Sequence, residues 1–319
     1  MAEEPPRLPA QASPAPPKIP AQAAAAPPVL PASPVKRAPA ASRESVWELR
    51  RAVPQRYRLP FMLAVPTVLF VLWCALTLGE HPAVGALFLP SPVGVLRGLA
   101  ELFFRGQCDA GPCSILQSYL LRCIWASSLR ILLSFALAAA VAVPLGILMG
   151  AWEPINRLLE PVMAPLRYMP ISAFIPLFIL WLGIGEAQKI AFLFLGVFVY
   201  LLPVVVTAIR AVPDELVQTA YTLGATRFQA IRTVLLPAAL PDIFDAFRVM
   251  NAISWTYVIL AEFVNAQVGL GYMIDLSGKH LKTDEVFSGI MVIGVIGLLT
   301  DWLIRVVNRA IFPWREQDQ

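Results

Sequence analysis

Six apolar segments, each about long enough to cross a lipid bilayer, leave this chain few possible folds. They are, in chain order, Leu59–Gly79, Ser127–Gly150, Pro170–Gly185, Lys189–Ile209, Val249–Met273 and Val286–Val307. A helix needs roughly 20 residues to cross the hydrocarbon core. Because lipid offers no water to backbone N–H and C=O groups, each segment must satisfy them internally. The sequence therefore predicts an all-α membrane protein with six transmembrane helices.

Two of the six segments depart from a simple span. The third, Pro170–Gly185, is short, which indicates either a helix tilted against its neighbours or a break at Pro176. The fifth, Val249–Met273, is polar for its length. Prolines also lie inside other spans, and a helix bundle in lipid tolerates them where adjacent helices or waters satisfy the freed carbonyl groups.

The overall composition agrees with a membrane protein. The chain has 319 residues, of which 58% are hydrophobic and 14% charged, and its mean hydropathy is +0.67. These values lie outside the range of soluble globular domains. The formal net charge is +4, but the basic residues cluster beside the apolar segments, so we interpret them as topology signals and expect no nucleic-acid partner.

The basic residues are divided unequally between the two ends of the predicted spans. The N-terminal flank, the second and fourth connections and the C-terminal end carry 14 arginines, whereas the other connections carry five basic residues. Arg122 and Arg130, at the start of the second span, belong to neither count. Six spans leave both termini on one side, and the positive-inside rule places that side in the cytoplasm.

The first 58 residues differ from the remainder of the chain. They are rich in proline and alanine, with few aromatic or β-branched residues, and cannot bury enough surface to offset their ordering entropy. We expect a disordered cytoplasmic tail over residues 1–58, followed by a transmembrane domain over residues 59–315. The first apolar segment begins too late in the chain for a secretory signal and is therefore expected to be retained as a span.

Cysteine and histidine offer little for metal or redox chemistry. Cys108 and Cys113 flank a short loop, and the pair is either a small disulfide facing an oxidising compartment or two free thiols. The two histidines, His81 and His280, lie far apart in the sequence, so we expect no metal site and no cofactor.

Residues 213–237, between the fourth and fifth spans, form more structure than a connecting loop requires. Pro213 suits the start of a helix, Asp214 and Glu215 suit its first turn, and Gly224 suits its end. A second short helix follows and is expected to stop at Pro237. Its apolar face, expected to pack under the bundle, is formed by Phe228, Ile231 and Leu235. The polar faces of the two short helices are left for water or a partner. Together they consist of Thr222, Thr226, Arg227 and Gln229.

This elbow resembles the signature of ABC-importer permeases, which reads EAA, three residues, Gly, nine residues, then I-x-L-P. The chain has QTA at Gln218–Ala220, Gly224 after three further residues, and VLLP at Val234–Pro237 after nine more. The spacing matches throughout, although Gln218 and Thr219 stand in place of Glu and Ala. The resemblance implies a coupling helix that docks into a separate ATPase. The residues to which it assigns this role are Gln218, Thr219, Ala220, Gly224, Ala225, Thr226, Arg227, Val234, Leu236 and Pro237.

The resemblance extends over roughly residues 60–315. The stretches LFLPSP, GILMG, PLFILWLGIGE and AEFVNAQVGLGYMI are similar to the nitrate/sulfonate/taurine/bicarbonate permeases, and the C-terminal stretch is most similar to taurine-type members. This implies the type I (MetI-like) importer architecture in a bacterial inner membrane. It also implies a homodimer, two ATPase subunits on the cytoplasmic side, and a periplasmic or lipid-anchored substrate-binding protein. No G-x-x-x-x-G-K-[ST] sequence occurs, so ATP hydrolysis is expected on a partner subunit and the chain itself is not expected to be an enzyme.

The fifth span carries the polar residues expected to line a translocation path. They are Asn251, Ser254, Trp255, Tyr257, Glu262 and Asn265. Polar groups in spans are costly and are by default functional candidates, but they also serve as interhelical hydrogen-bonding groups, and both interpretations stay open. Glu262 either pairs with a basic group such as Arg130 or lies at the outer mouth. No cluster of Arg or Lys lies in mid-span, which leaves selectivity to an external binding protein.

Two other functional classes remain as alternatives. An ion-coupled secondary transporter of a small solute would show inverted repeats and ionisable groups at the membrane midplane, and neither is evident in the sequence. A membrane-embedded enzyme or assembly scaffold would need a cluster of catalytic residues, and none is found.

Overall fold

The computed structural model describes residues 55–78, 85, 87–104, 118–264 and 266–313. The chain divides at Met62 into two compact units; in the first unit, the described residues 55–62 are helical. Residues 1–54 of the predicted tail, Cys108, Cys113 and Asn265 lie outside the described residues, so those predictions stay untested.

Eleven helices make up almost all of the described structure, and no strand occurs in these parts of the chain. The helices are α1 (Gln55–Thr77), α2 (Pro92–Phe104), α3 (Tyr119–Ala151), α4 (Glu153–Leu166), α5 (Ile175–Leu182), α6 (Glu186–Arg210), α7 (Asp214–Thr222), α8 (Arg227–Ala230), α9 (Leu236–Phe263), α10 (Leu270–Lys279) and α11 (Thr283–Ile311). A 3-10 turn, Ile171–Phe174, precedes α5, and a π turn, Ile231–Leu235, joins α8 to α9. The prediction of an all-α membrane fold is confirmed.

Four of the described helices, α1, α3, α6 and α11, are long and apolar enough to cross a membrane. The predicted third span, Pro170–Gly185, corresponds to the 3-10 turn and α5, which are the second part of a bent pair that begins with α4. The two parts meet at 90° and would make a fifth crossing if they form one span. The bend lies between Leu166 and Ile171, so a break at Pro176, one of the two alternatives for this segment, does not occur. Pro176 instead occupies the first turn of α5, where its missing N–H has no helical partner to lose.

The predicted fifth span lies within α9, but with different bounds. This helix starts at Leu236, 13 residues before the predicted start, and ends at Phe263, with α10 as a separate helix. Its 28 residues are long enough to span, but Asp242, Asp245, Arg248 and Glu262 keep it outside the four most apolar helices. Because α9 carries these polar residues, its full length could not be read from the sequence.

Helix α6 lies at the centre of the second unit, packed along α3 and along α9. It contributes buried side chains to both apolar clusters of this unit. Phe192 and Leu193 belong to one cluster and Leu201 and Val205 to the other. A helix that is surrounded by other helices needs apolar residues on every side, as α6 has. The first half of α6 thus packs mainly in one apolar cluster and its second half in the other.

Close contact between α3 and α6 depends on two glycines spaced one helical turn apart. A Cβ at Gly146 would lie 2.7 Å from Val205 Cγ1, and a Cβ at Gly150 would lie 2.7 Å from Ile209 Cβ. The stretch GILMG is therefore a small-xxx-small motif, which lets two backbones approach in a membrane where no hydrophobic effect drives helices together.

We expect Gly146→Leu to lower the stability of the detergent-solubilised protein by about 1–3 kcal/mol, because the new side chain must displace Val205. Thermal unfolding followed by size-exclusion chromatography measures this change. Gly294→Leu on α11 is the matched control, since a Cβ there meets nothing within 4 Å. Equal melting temperatures for the two variants would show that the α3–α6 contact does not depend on glycine.

Candidate functional site

The elbow between α6 and α9 is held by backbone geometry at Gly224. This residue has φ +85°, and a Cβ added there would meet nothing within 4 Å. The left-handed conformation, rather than crowding, is therefore what favours glycine here. The N–H of Ala225 donates to the carbonyl of Ala220 and that of Gly224 to the carbonyl of Tyr221, both at 3.0 Å. These bonds close the end of α7 in the manner of a helix C-cap.

A capping box then starts α8 only two residues later. The N–H of Gln229 donates to Thr226 Oγ1 at 3.4 Å, and the N–H of Thr226 donates to Gln229 Oε1 at 2.8 Å. Thr226 and Gln229, expected on a polar face left for water or a partner, are both exposed and also bond to each other. The T-x-x-Q spacing was the sequence signal for this cap. Two consecutive caps make the elbow a defined turn rather than a loose loop.

The expected stop at Pro237 is wrong, because the helix continues through it. The N–H of Leu236 donates to the carbonyl of Ile231, five residues back, and α9 runs on to Phe263. A proline inside a helix removes one ordinary backbone bond, and a π turn is one of the local adjustments that accommodates this loss. Val234, Leu236 and Pro237 therefore lie at a continuous joint between the elbow and α9.

The surface of the elbow is more apolar than expected. Phe228, predicted to pack under the bundle, is 69% exposed, and Leu223 is 84% exposed. Leu216 and Tyr221 are also exposed, while burial on the elbow falls on Ala220 and Ala230. The capping box explains the difference, because it starts α8 at Arg227 with Ala230, rather than Phe228, facing inward. We call Leu216, Tyr221, Leu223 and Phe228 the apolar elbow surface.

The remaining elbow residues surround this surface or line the space behind it. Gln218 and Thr219 are exposed on α7, and the Thr219 hydroxyl donates to the carbonyl of Glu215 at 2.7 Å. A cavity of about 370 Å³ separates the elbow from the ends of α3 and α6. Its lining includes Trp152, Arg210 and Arg227. The elbow is thus tethered to the bundle at its two ends, with space behind its middle.

The polar residues of α9 mostly face other helices of the same chain. Asn251 Nδ2 and Trp255 Nε1 both donate to Thr300 Oγ1 of α11, at 2.9 and 3.2 Å. The Ser254 hydroxyl is fully buried and donates to the carbonyl of Met250 within its own helix. The two bonds to Thr300 are the interhelical hydrogen bonding that the sequence left open, and path lining by these residues stays a prediction. Tyr257 is half-buried against α6 and keeps one side accessible.

Glu262 is paired with Arg130, one of the two alternatives that the sequence left open. Its side chain is completely buried, and Oε1 accepts from Arg130 Nη1 at 2.6 Å and from the Ser127 hydroxyl at 2.7 Å. Its other oxygen, Oε2, accepts the N–H of Gly271 at 2.8 Å. The adjacent Gly269 has φ +146°, and a Cβ there would overlap the carboxyl group of Glu262. Glycine at this position is therefore required by both conformation and space.

A second carboxylate completes the surroundings of Arg130. Glu186, at the start of α6, accepts from Arg130 Nε at 2.5 Å and Nη2 at 2.7 Å, and from Lys189 Nζ at 3.0 Å. Arg130 Nη1 also donates to the carbonyl of Val268 at 2.8 Å. We call Arg130, Glu186, Lys189 and Glu262 the ion cluster; its two cations and two anions cancel. Sequence reasoning missed Glu186 and Lys189, because no linear motif connects them to Glu262.

Breaking the ion cluster should destabilise the protein strongly. Arg130→Ala leaves Glu262 buried without its counter-charge, so we expect a loss of roughly 3–5 kcal/mol, visible as lower yield and an earlier thermal transition in detergent. Arg157→Ala is the control, because Arg157 pairs with Glu153 on the surface, where their side chains are 78% and 54% exposed. Similar thermal transitions for both variants would contradict a structural role for the cluster.

Known transport proteins are similar to this chain in sequence and in fold. The taurine transport system permease protein TauC of Escherichia coli (strain K12) is 32% identical over 273 residues, covering 86% of this chain and 94% of the relative. The nitrate import permease protein NrtB of Synechocystis sp. (strain ATCC 27184 / PCC 6803 / Kazusa) is 30% identical over 254 residues, covering 77% of this chain and 86% of the relative.

A solved structure of the MetNI methionine ABC transporter in an inward-facing conformation matches with a TM-score of 0.56, covering 61% of this chain and 97% of that chain. At 21% identity this likeness shows the fold alone. The model of the family described as binding-protein-dependent transport system inner membrane component matches residues 142–313, which include α6, the elbow and α9. Together with relatives at 30–33% identity over most of the chain, this match shows that the protein belongs to the family of inner-membrane permease components of binding-protein-dependent transport systems.

Proposed function

We propose that this permease imports a small anion, such as taurine or another sulfonate, nitrate or bicarbonate, by coupling to a separate ATPase subunit that supplies the energy. Family membership makes the chain a membrane transport component rather than an enzyme. The observation that carries the coupling role is the apolar elbow surface, held rigid by Gly224 and the capping box and joined without a break to α9.

An exposed apolar patch on a turn between two membrane helices fits a protein partner, because exposure of apolar side chains to water is unfavourable. Leu223 and Phe228 are the most exposed members of this surface, at 84% and 69%. Large apolar residues of this kind are typical anchors in a partner's groove. A push on this surface would reach α9 directly through the helical joint at Ile231–Leu235.

The relatives support the substrate class. Their names specify taurine, aliphatic sulfonates and nitrate, which share a compact oxyanion group. Two basic groups of the bundle are neutralised: Arg130, which contacts α9, by Glu186 and Glu262, and Arg248, which lies on α9, by Asp301 at 3.0 Å. High-affinity selection of an anion is therefore assigned to a separate binding protein, either periplasmic or lipid-anchored.

The assembly that follows is a homodimer of this chain with two ATPase subunits at the elbows and the binding protein on the opposite side. Both chain termini and the elbow lie in the cytoplasm, as the excess of arginine on that side indicates. ATP binding draws the ATPase subunits together, the two elbows approach each other, and the path between the two permeases opens outward. Hydrolysis returns the elbows and opens the path to the cytoplasm.

Co-purification from native membranes tests the coupling role. We expect an ATPase subunit to accompany the wild-type chain and to be lost with Gly224→Pro, because proline cannot adopt the positive φ of this position. Leu223→Asp should also release the ATPase, because it places a charge in the apolar elbow surface.

Gly224→Asn is the matched control, since asparagine tolerates the left-handed conformation and should keep the ATPase bound. Size-exclusion profiles of the variants report whether the fold is preserved. A wild-type chain that purifies alone and transports in liposomes without ATP would contradict the proposal and favour the ion-coupled transporter. An ATPase that stays bound to Leu223→Asp would remove the apolar elbow surface as its docking site.

A further inference from the structure

Leu281, between α10 and α11, is the only residue other than glycine with a positive φ in the described part of the chain. Its φ is +57°, a left-handed conformation in which a Cβ crowds the following carbonyl oxygen. The N–H of Lys282 donates to the carbonyl of Ser277 and that of Leu281 to the carbonyl of Gly278, both at 3.0 Å. These bonds form a Schellman motif, in which glycine is the usual residue at the position of Leu281. We call residues 279–282 the α10–α11 corner.

Side chains on both helices hold this corner in place. The carboxylate of Glu285, which is 1% exposed, accepts from the Ser277 hydroxyl at 2.7 Å and from Lys282 Nζ at 2.9 Å. These bonds join the end of α10 to the start of α11 across the turn. A residue persists in an unfavourable backbone conformation only where its surroundings over-determine that conformation, as they do here.

The side chain of Leu281 contributes little to the fold. It is 70% exposed, so it buries little apolar surface within the chain. Glycine at this position would keep both backbone bonds and would remove the crowding of the Cβ. Because the fold alone favours glycine here, the leucine side chain points to a role outside the chain. Residues in such conformations cluster at functional sites.

The corner lies at the end of the bundle opposite the elbow. Helices α9 and α11 run antiparallel, because Asp245 accepts from Asn308 Nδ2 at 3.0 Å, while Asn251, further from the elbow, bonds to Thr300. The start of α11, at Thr283, lies about 25 Å beyond Thr300 along the helix axis. With the elbow in the cytoplasm, as proposed above, the corner faces the outside of the membrane.

Polar surroundings separate the corner from the lipid tails. Lys279 and His280 are exposed, and Asp284 and Glu285 follow in the first turn of α11. The 29 residues of α11 extend over about 43 Å, compared with roughly 30 Å for the hydrocarbon core. This length leaves room for the charged first turn outside the hydrocarbon. The exposed side chain of Leu281 therefore meets water unless another protein covers it.

A second exposed apolar segment lies beside the corner. The Thr283 hydroxyl donates to the carbonyl of Leu87 at 2.6 Å, which holds the stretch before α2 against the start of α11. On this stretch Leu87 is 53% and Phe88 is 77% exposed. Large apolar side chains on two neighbouring, hydrogen-bonded segments are typical of a surface that a partner protein covers.

The charged groups of the corner are already matched within the chain. Lys279 pairs with Asp275, and Lys282 with Glu285 at 2.9 Å. An apolar side chain within a rim of balanced charge suits a water-soluble protein, whose own contact would then be apolar and only weakly dependent on salt.

We propose that Leu281 is an apolar anchor at which the substrate-binding protein docks on this permease. This inference rests on the proposed delivery of solute by a binding protein, and it adds the residue that holds that protein at the outer end of the bundle. The unfavourable conformation of Leu281 is retained because glycine would lack the side chain that the partner contacts.

The test uses the complete transporter in liposomes, with its ATPase and with its purified binding protein incubated with taurine or, separately, nitrate. The rate of ATP hydrolysis is measured as the binding protein is added. Leu281→Asn keeps the left-handed conformation, which asparagine tolerates, but removes the apolar side chain. We expect the concentration of binding protein that gives half-maximal stimulation to rise about tenfold, as for the loss of an interface anchor. ATP hydrolysis without the binding protein should stay unchanged, because the elbow is intact.

Two further variants separate docking from folding. Leu281→Gly should raise the half-maximal concentration by a similar factor, but it should keep or raise the melting temperature of the permease in detergent, because glycine relieves the crowding of the Cβ. Leu281→Met keeps an apolar side chain and should act like the wild type. The matched control is Leu158→Asn, the same change at a leucine that is 74% exposed on α4, at the elbow end of the bundle. It should leave the half-maximal concentration unchanged.

A wild-type half-maximal concentration for Leu281→Asn would overturn the docking role and leave the proposed function intact. A lower melting temperature for Leu281→Gly would also overturn it, because the leucine would then support the fold. Conversion of a permease dimer into a monomer by Leu281→Asn, seen by size-exclusion chromatography, would assign the corner to a second copy of the chain instead. A wild-type transporter whose ATP hydrolysis and uptake do not respond to the binding protein would contradict the proposed function itself.

Discussion

In the described part of the chain, no other side chain hydrogen-bonds to as many separate segments as the guanidinium group of Arg130. From α3 it reaches Glu186 at the start of α6, Glu262 near the end of α9 and the carbonyl of Val268 ahead of α10. A planar group with five N–H donors can make such a set of contacts, whereas the compact ammonium group of lysine cannot reproduce its forked geometry. Since an unpaired charge in this interior would be very costly, the four segments must keep their mutual positions.

Because of this constraint, α9 connects a fixed ion cluster to the elbow. Its far end is held by the ion cluster, and its near end continues into the elbow through the π turn. The 28 residues of α9 extend over about 42 Å. A movement of the elbow would therefore act on a long helix that is fixed at its far end.

The sequence-based predictions were most accurate where residues close together in the chain decide the structure. The span predicted over Lys189–Ile209 corresponds to α6, Glu186–Arg210, because an all-round apolar sequence has few alternatives in lipid. The turn at Gly224 was also predicted, since one residue with positive φ and its neighbours are sufficient to form it. The stop at Pro237 was wrong, and the break at Pro176, one of two alternatives, does not occur, because in both cases neighbouring backbone geometry accommodated the proline. The predicted inward position of Phe228 was wrong, because the capping box begins two residues earlier and decides which side chains of α8 face the bundle.

By itself, the sequence determined the membrane class, the helical fold and the place of the elbow. These follow from apolar length, from backbone hydrogen bonding in lipid and from glycine conformation, and each acts within a short stretch of chain. The tertiary structure alone decided which polar groups of α9 are satisfied within the chain and which stay accessible. The carboxylate of Glu262 pairs with Arg130 across 132 positions, and Asn251 bonds to Thr300 across 49. Packing of distant helices decides such pairings, and no local pattern encodes them.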